Sequence, residues 1–268
     1  MKRKFIYPIL VAIVTIGFYF GEQYIDRKQA LPKIEEGKKK KVTTNTYFLP
    51  SSTTGAIVHH NFYSLSYSEE HEQAEWVAYE LKDYQVSNKD RKRPYFEIDK
   101  AVQTRAASWK NYKDSGYDRG HLCPAGDRRF TKEAYDETFL TSNISPQEHE
   151  FNSGVWADLE KRVRYWAKRY KGVFVVTGGV LEDNLPAIGS EKVAVPRYFY
   201  KVVLDNDTGN TRMIGFLFPH KASDRPIKDF VVPVDKIERL TGIDFFPQLE
   251  DKKEQRLESK ENVEQWKF

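Results

Sequence analysis

Apolar positions fall into distinct periods along the chain. Behind Lys2-Arg3-Lys4 the sequence runs apolar from Phe5 to Phe20, and residues 22–52 then turn polar. β-Branched and aromatic residues crowd Ala56–Ser68 and Glu75–Leu81, which predicts two strands. Ser87–Asp99 is charged and turn-like, and Tyr117–His121 predicts a loop. Thr131–Glu137 reads as a short helix capped by Thr131, and Phe139–Ile144 as a strand. Over Asn152–Tyr170, the residues Trp156, Leu159, Val163, Trp166 and Tyr170 recur at helical spacing, so this segment predicts a helix with one buried face. Val173–Thr177 is an apolar strand ending at Gly178-Gly179. Val193–Leu204 and Arg212–Phe218 predict two more strands, joined by a turn at Asn206-Asp207-Thr208-Gly209. Val234–Leu240 predicts a short helix before Thr241-Gly242. Strands with interspersed helices and no internal repeat predict an α+β fold with a mostly antiparallel sheet.

The N-terminus has the form of an export segment: a basic cluster, then an apolar run. No small-x-small cleavage site follows, and the run is slightly short for a membrane span of about 17–25 residues. Residues 1–21 are therefore expected to be an uncleaved signal-anchor, or a signal peptide cut at an unobvious site. The basic end would stay inside. The protein would then be exported, membrane-anchored and facing the periplasm or exterior, or secreted if cleaved. Residues 22–53, with Lys38–Lys41, are expected to be a flexible basic tether. A folded domain is expected over 54–250, and a frayed, charged tail over 251–268.

Composition narrows the class. Of 268 residues 40% are hydrophobic, enough for a sizeable core, which excludes a disordered chain. A single long apolar run excludes a polytopic membrane protein. One cysteine, Cys123, excludes an intrachain disulfide framework and a multi-cysteine zinc site. The net charge of +4 is local, because residues 1–41 hold ten Lys/Arg against four Asp/Glu. Nucleic-acid binding by the main domain must therefore be argued from local clusters.

Three segments carry chemistry: Asp118-Arg119-Gly120-His121, Ser142-Asn143-Ile144-Ser145-Pro146-Gln147, and Asn152 with Trp156, Leu159 and Glu160. Glycine before histidine permits close approach of backbone and ligand. The guanidinium of Arg119 suits phosphate oxygens. His121 titrates near neutrality and can take a proton from water. Asn152 offers a neutral oxygen for a hard cation such as Mg²⁺, which needs only one or two protein ligands. As a residue at a helix start, Asn152 would equally serve as an N-cap. Glu160 lies two turns on and about 80° around the helix, within reach of a cation's water shell. Together these groups suit phosphodiester hydrolysis. A zinc site from His121, Cys123 and His149 is a rival with no fourth ligand.

On those motifs, in that order and spacing, the sequence resembles the DNA/RNA non-specific endonucleases, nucleases with a ββα-metal core. The resemblance covers roughly residues 56–250, with weaker support from Arg93, Phe96 and Asp99 and from Pro219-His220. It implies a ββα-metal core in a mostly antiparallel sheet flanked by helices, and a Mg²⁺ cofactor that Mn²⁺ could replace. By position, His121 matches the general base and Asn152 the protein ligand of the Mg²⁺. Arg119 and Arg93 match arginines that bind phosphate, although Arg91 stands two residues from Arg93. Asn143 matches a polar residue supporting the site, Glu160 the acidic residue beside the metal's water, and Asp118 a residue that holds the loop. The implied activity is sugar-non-specific cleavage of DNA and RNA that leaves 5′-phosphates. Many members are dimers, and no obligatory protein partner is implied. A non-catalytic nucleic-acid-binding module and a phosphodiesterase for small nucleotides are the competing readings.

Overall fold

The computed structural model describes residues 48–51, 56–206 and 210–268. The expected anchor over 1–21, nearly all of the tether, and most of the Asn206–Gly209 turn lie outside the described residues. Among the described residues, no helix is long and apolar enough to cross a membrane.

In chain order the strands are β1 (Ile57–His59), β2 (Ser64–Ser68), β3 (Gln73–Lys82), β4 (Asp118–His121), β5 (Ile144–Gln147), β6 (Gly172–Gly179), β7 (Ala187–Ile188), β8 (Val193–Ala194), β9 (Tyr198–Asp205), β10 (Arg212–Pro219) and β11 (Val231–Val232). The helices are α1 (Lys132–Glu137), α2 (Ala157–Arg169), α3 (Val234–Thr241) and α4 (Asp251–Glu258). Seven strands form one antiparallel sheet in the order β1-β2-β3-β6-β9-β10-β11. β4 pairs with β5 in a separate two-stranded ribbon. The fold is α+β, and β4, β5 and the helical run behind them are the ββα element.

Both faces of the large sheet are covered, and strand alternation divides the apolar residues between them. Val77, Val175, Val203, Ile214 and Phe216 join one core with Trp156, Leu159, Val163 and Trp166 of the long helical run. Their neighbours Trp76, Ala78, Val176, Val202, Leu204 and Met213 join a second core with Ile237 of α3 and Leu257 of α4. Burial on both sides explains why β6 and β9 read as nearly continuous apolar runs. Each large side chain fully removed from water contributes about 1.5–3 kcal/mol.

Four expectations need correction. Tyr117–His121 is not a loop, since Asp118–His121 is a strand. Its polar residues hide the period because one face of the ribbon carries the site rather than a core. Phe139–Ile144 is not one strand: Thr141–Asn143 forms a tight turn and the strand begins at Ile144. Val193–Leu204 splits into β8 and β9, with Pro196, which has no N–H to donate, between them. The C-terminus is not frayed. Residues Asp251–Glu258 are helical, and Trp266 packs on Trp166 with ring centroids 4.6 Å apart. The Trp166 indole N–H donates to the Lys267 carbonyl at 2.7 Å, closing that contact. Thr131 does cap α1, accepting from the Ala134 amide.

Trp266 is only 4% exposed. Trp266→Ala should therefore cost about 3–5 kcal/mol, a large-to-small core loss. Urea unfolding measures this, and an unchanged midpoint would mean that the tail is not part of the core.

Candidate active site

The site grows from the β4–β5 ribbon. Its register sets Asp118 opposite Gln147, Gly120 opposite Ser145 and His121 opposite Ile144. Alternation puts Arg119 and His121 on one face, and Asp118 and Gly120 on the other. The turn before β5 is fastened to β4 by Asn143, which is fully buried. Its Oδ1 accepts from the Cys123 amide at 2.8 Å, and its Nδ2 donates to the carbonyls of Cys123 and Thr138, each at 2.9 Å. Asn143 thus has its polar atoms committed to backbone and acts on the site by holding the ribbon.

Gly120 has a use different from the one its sequence position suggests. A Cβ there would lie 2.1 Å from Gln147 Oε1, so the glycine makes room for a protein side chain rather than a ligand. Both polar atoms of the Gln147 amide are buried without a hydrogen-bond partner.

On the other face, His121 sits between two phenyl rings, with centroids 5.5 Å away for Phe96 and 4.9 Å for Phe139. Its Nε2 is buried and has no partner. Burial first, then the nearby Arg93 guanidinium, push the imidazole down to about 4. The ring is therefore neutral at physiological pH and able to accept a proton. Phe96 is a shared post. The guanidinium carbons of Arg93 and Arg119 each lie 5.7 Å from its ring centroid. Arg93 is also 5.7 Å from the Phe139 centroid, and Arg119 is 5.5 Å from that of Trp109. The Glu97 amide donates to the Phe139 carbonyl and the Thr141 amide to that of Glu97, which fixes Phe96 beside Phe139. Arg91 is elsewhere: its guanidinium donates to the carbonyls of Arg129 and Phe130. Of the two arginines, Arg93 is the one beside His121.

Asn152 is not a helix N-cap. Its amide donates to the Glu148 carbonyl within a helical turn (His149–Phe151) that begins upstream. It opens a π-helical turn, Asn152–Trp156, kinked at Gly154 before α2. Its Nδ2 donates to Asp118 Oδ2 at 2.9 Å, and the same oxygen lies 3.0 Å from His149 Nδ1. A carboxylate only accepts, so it fixes which end of the Asn152 amide faces it. The Oδ1 end is left without a hydrogen bond from any described residue, as an oxygen ligand for a hard cation requires. Through Asp118, Asn152 is tied to the strand that ends at His121.

Glu160, in the first turn of α2, is half-buried. Burial raises its carboxyl, the Lys201 ammonium opposes this, and Asp127 adds to it. Lys201 is fully buried, 4.6 Å from the Trp156 ring centroid and donating to Thr177 Oγ1 at 3.1 Å. Burial lowers the Lys201 ammonium while Glu160 supports it. Asp127 accepts from Arg164 at 2.8 Å and from the Tyr79 hydroxyl at 2.9 Å. Sequence reasoning missed this polar layer. Its one visible signal is a lysine inside the apolar strand Tyr198–Asp205. His121, Cys123 and His149 form no ligand cluster, because among the described residues the only group of metal-ligating side chains is elsewhere.

Gly120→Ala should destabilise the protein by about 1–3 kcal/mol through overpacking against Gln147. In a Gln147→Ala background the same change should cost far less. Equal costs in both backgrounds, read from denaturant midpoints, would show that Gln147 is not the constraint.

The sequence profile of the DNA/RNA non-specific endonuclease family matches residues 41–252. The chain is 33% identical to a mitochondrial nuclease EXOG of Xenopus laevis over 221 residues, covering 76% of this chain and 62% of that protein. It is 33% identical to the mitochondrial endonuclease G of Homo sapiens, covering 70% of this chain and 68% of the relative. A nuclease of Nostoc sp. is 34% identical over 75% of this chain and 76% of its own. The chain thus spans less than two thirds of the Xenopus nuclease. A chain in the crystal structure of an EndoG/EndoGI complex superposes with a TM-score of 0.71 at 34% identity, covering 77% of this chain and 91% of that one. With its motifs on a ββα element and these similarities, the chain belongs to the DNA/RNA non-specific endonuclease family.

Proposed function

We propose that this protein is a divalent-cation-dependent endonuclease that hydrolyses phosphodiester bonds of DNA and RNA and leaves 5′-phosphates. The observation that carries the reading is the gathering of a neutral, half-buried imidazole and two guanidinium groups around Phe96. A binding module would need the arginines but not a histidine kept neutral between two rings.

In the proposed reaction, Arg93 and Arg119 bind the phosphate oxygens and offset the charge that builds on them. His121 has Nε2 closed in, so Nδ1 takes the proton from the attacking water. The water oxygen forms the new bond to phosphorus as the bond to the 3′-oxygen breaks, and that oxygen leaves as a hydroxyl after taking a proton from solvent water. Asn152 would hold a Mg²⁺, or Mn²⁺, through Oδ1, and its donor set fits because a neutral oxygen suits a hydrated hard cation. When bound, such a cation would neutralise phosphate charge and stabilise the leaving oxygen. Asp118 orients Asn152, and Asn143 holds the ribbon that carries both Arg119 and His121. The basic and then apolar N-terminus supports export as part of the same proposal.

Nicking of supercoiled plasmid tests the reading. Activity should need Mg²⁺, vanish in EDTA and fall about 10²–10⁴-fold in His121→Ala. Arg93→Ala should lose more activity than Arg91→Ala. A folded protein that nicks with no metal tried, or a His121→Ala variant as active as the parent, would end it. Cleavage of dinucleotides at the rate of plasmid would instead favour a small-nucleotide phosphodiesterase.

The pH profile is a second test. Only neutral His121 accepts a proton, and its pKa is pushed down to about 4. Activity should persist from pH 8 to about 5 and fall only as pH approaches 4. An acid limb centred near 6.5 would contradict an imidazole enclosed by two rings beside Arg93.

A further inference from the structure

A second group of acidic side chains lies away from the site. α3 carries Asp235 and Glu238 three residues apart, hence on one face. α4 brings Glu258 against them. One carboxylate oxygen from each of the three lies within 4.8 Å of the others. No Lys, Arg or His forms an ion pair with Asp235, Glu238 or Glu258 among the described residues.

Glu258 is the telling member. It is 6% exposed, and its Oε1 is buried with no hydrogen-bond partner. A buried carboxylate oxygen left bare among other carboxylates loses its hydration with nothing to replace it. Its strongest charged neighbours are Glu238, Glu254, Asp235 and Asp244, all acidic. Glu254, one turn before it, also has a buried Oε1 with no partner. Glu238 spends Oε1 on the Phe245 amide at 2.9 Å, which orients the carboxylate and leaves its second oxygen. The floor is apolar, since Ile237, Phe245 and Leu257 are all buried.

We propose that Asp235, Glu238 and Glu258 form a divalent-cation site that ties α4 to α3. An all-carboxylate set selects a hard cation. Ca²⁺ fits better than Mg²⁺, because it accepts irregular oxygen geometry and bidentate carboxylates. The site does not depend on the nuclease reading, and its role is to hold the C-terminal segment whose Trp266 closes the core over Trp166.

Thermal unfolding of the full chain tests this, in an Asn152→Ala background that removes the proposed catalytic ligand. With Ca²⁺ about 100-fold above its Kd, the midpoint should rise by about 5–10 °C over the EDTA value. Mg²⁺ at the same concentration should give a smaller rise. Glu258→Gln and Asp235→Asn should each abolish the Ca²⁺ increment. In EDTA, Glu258→Gln should be at least as stable as its parent, because a neutral amide of nearly equal volume replaces a carboxyl that burial and its acidic neighbours hold away from its charged form. If Glu258→Gln fails to fold, the half-buried Asp235→Asn carries the test. No Ca²⁺ increment in the parent, or an equal increment in parent and variants, would overturn the proposal.

Discussion

One carboxylate oxygen joins the two halves of the site. Asp118 Oδ2 takes the Asn152 amide at 2.9 Å across 34 residues of sequence. Asp118 begins the strand that ends at His121, and Asn152 begins the kinked turn that leads into α2. That single hydrogen bond therefore sets both the orientation of the Asn152 amide and the position of a helix relative to the ribbon. A charge-assisted bond of this kind is roughly twice as strong as a neutral one. The Asn143 bonds to Cys123 and Thr138 brace the ribbon from behind, so its two ends cannot move independently.

Around this frame the protein separates its electrostatics into two layers. At the front, aromatic rings pack on His121 and hold two guanidinium groups around Phe96; burial first and then Arg93 keep the imidazole neutral. Behind lies a buried layer in which Asp127 pairs with Arg164 and Lys201 faces Glu160 through low-dielectric surroundings. Breaking one partner of such a layer would leave an uncompensated charge, which costs far more than an intact pair contributes. Glu160 belongs to this buried layer, as a carboxyl that burial raises and the Lys201 ammonium opposes.

Much of this was legible in the sequence, for definite reasons. The helix over 157–169 and the strands of the large sheet announce themselves because burial on one face or two dictates their periods. The Asp118–His121 and Asn152–Glu160 motifs are legible because chemistry restricts their residue types. What was hidden depends on contacts between distant segments. Phe96 looks like an ordinary aromatic in a charged stretch until Glu97 pairs with Phe139 and Thr141. Arg91 and Arg93 look equivalent until two backbone carbonyls capture Arg91. The tail reads as frayed because its charges mask Trp266, whose partner Trp166 lies 100 residues away. Gly120 was legible as a close approach, but what approaches is Gln147.

The most direct measurement is the Mg²⁺ concentration that gives half-maximal plasmid nicking, compared between the parent, Asp118→Ala and His149→Ala. If Asp118 orients the cation ligand, its removal should raise that concentration about 10–100-fold. His149→Ala, which leaves the Asp118–Asn152 bond in place, should leave it unchanged. The same half-saturating Mg²⁺ in Asp118→Ala as in the parent would contradict the account.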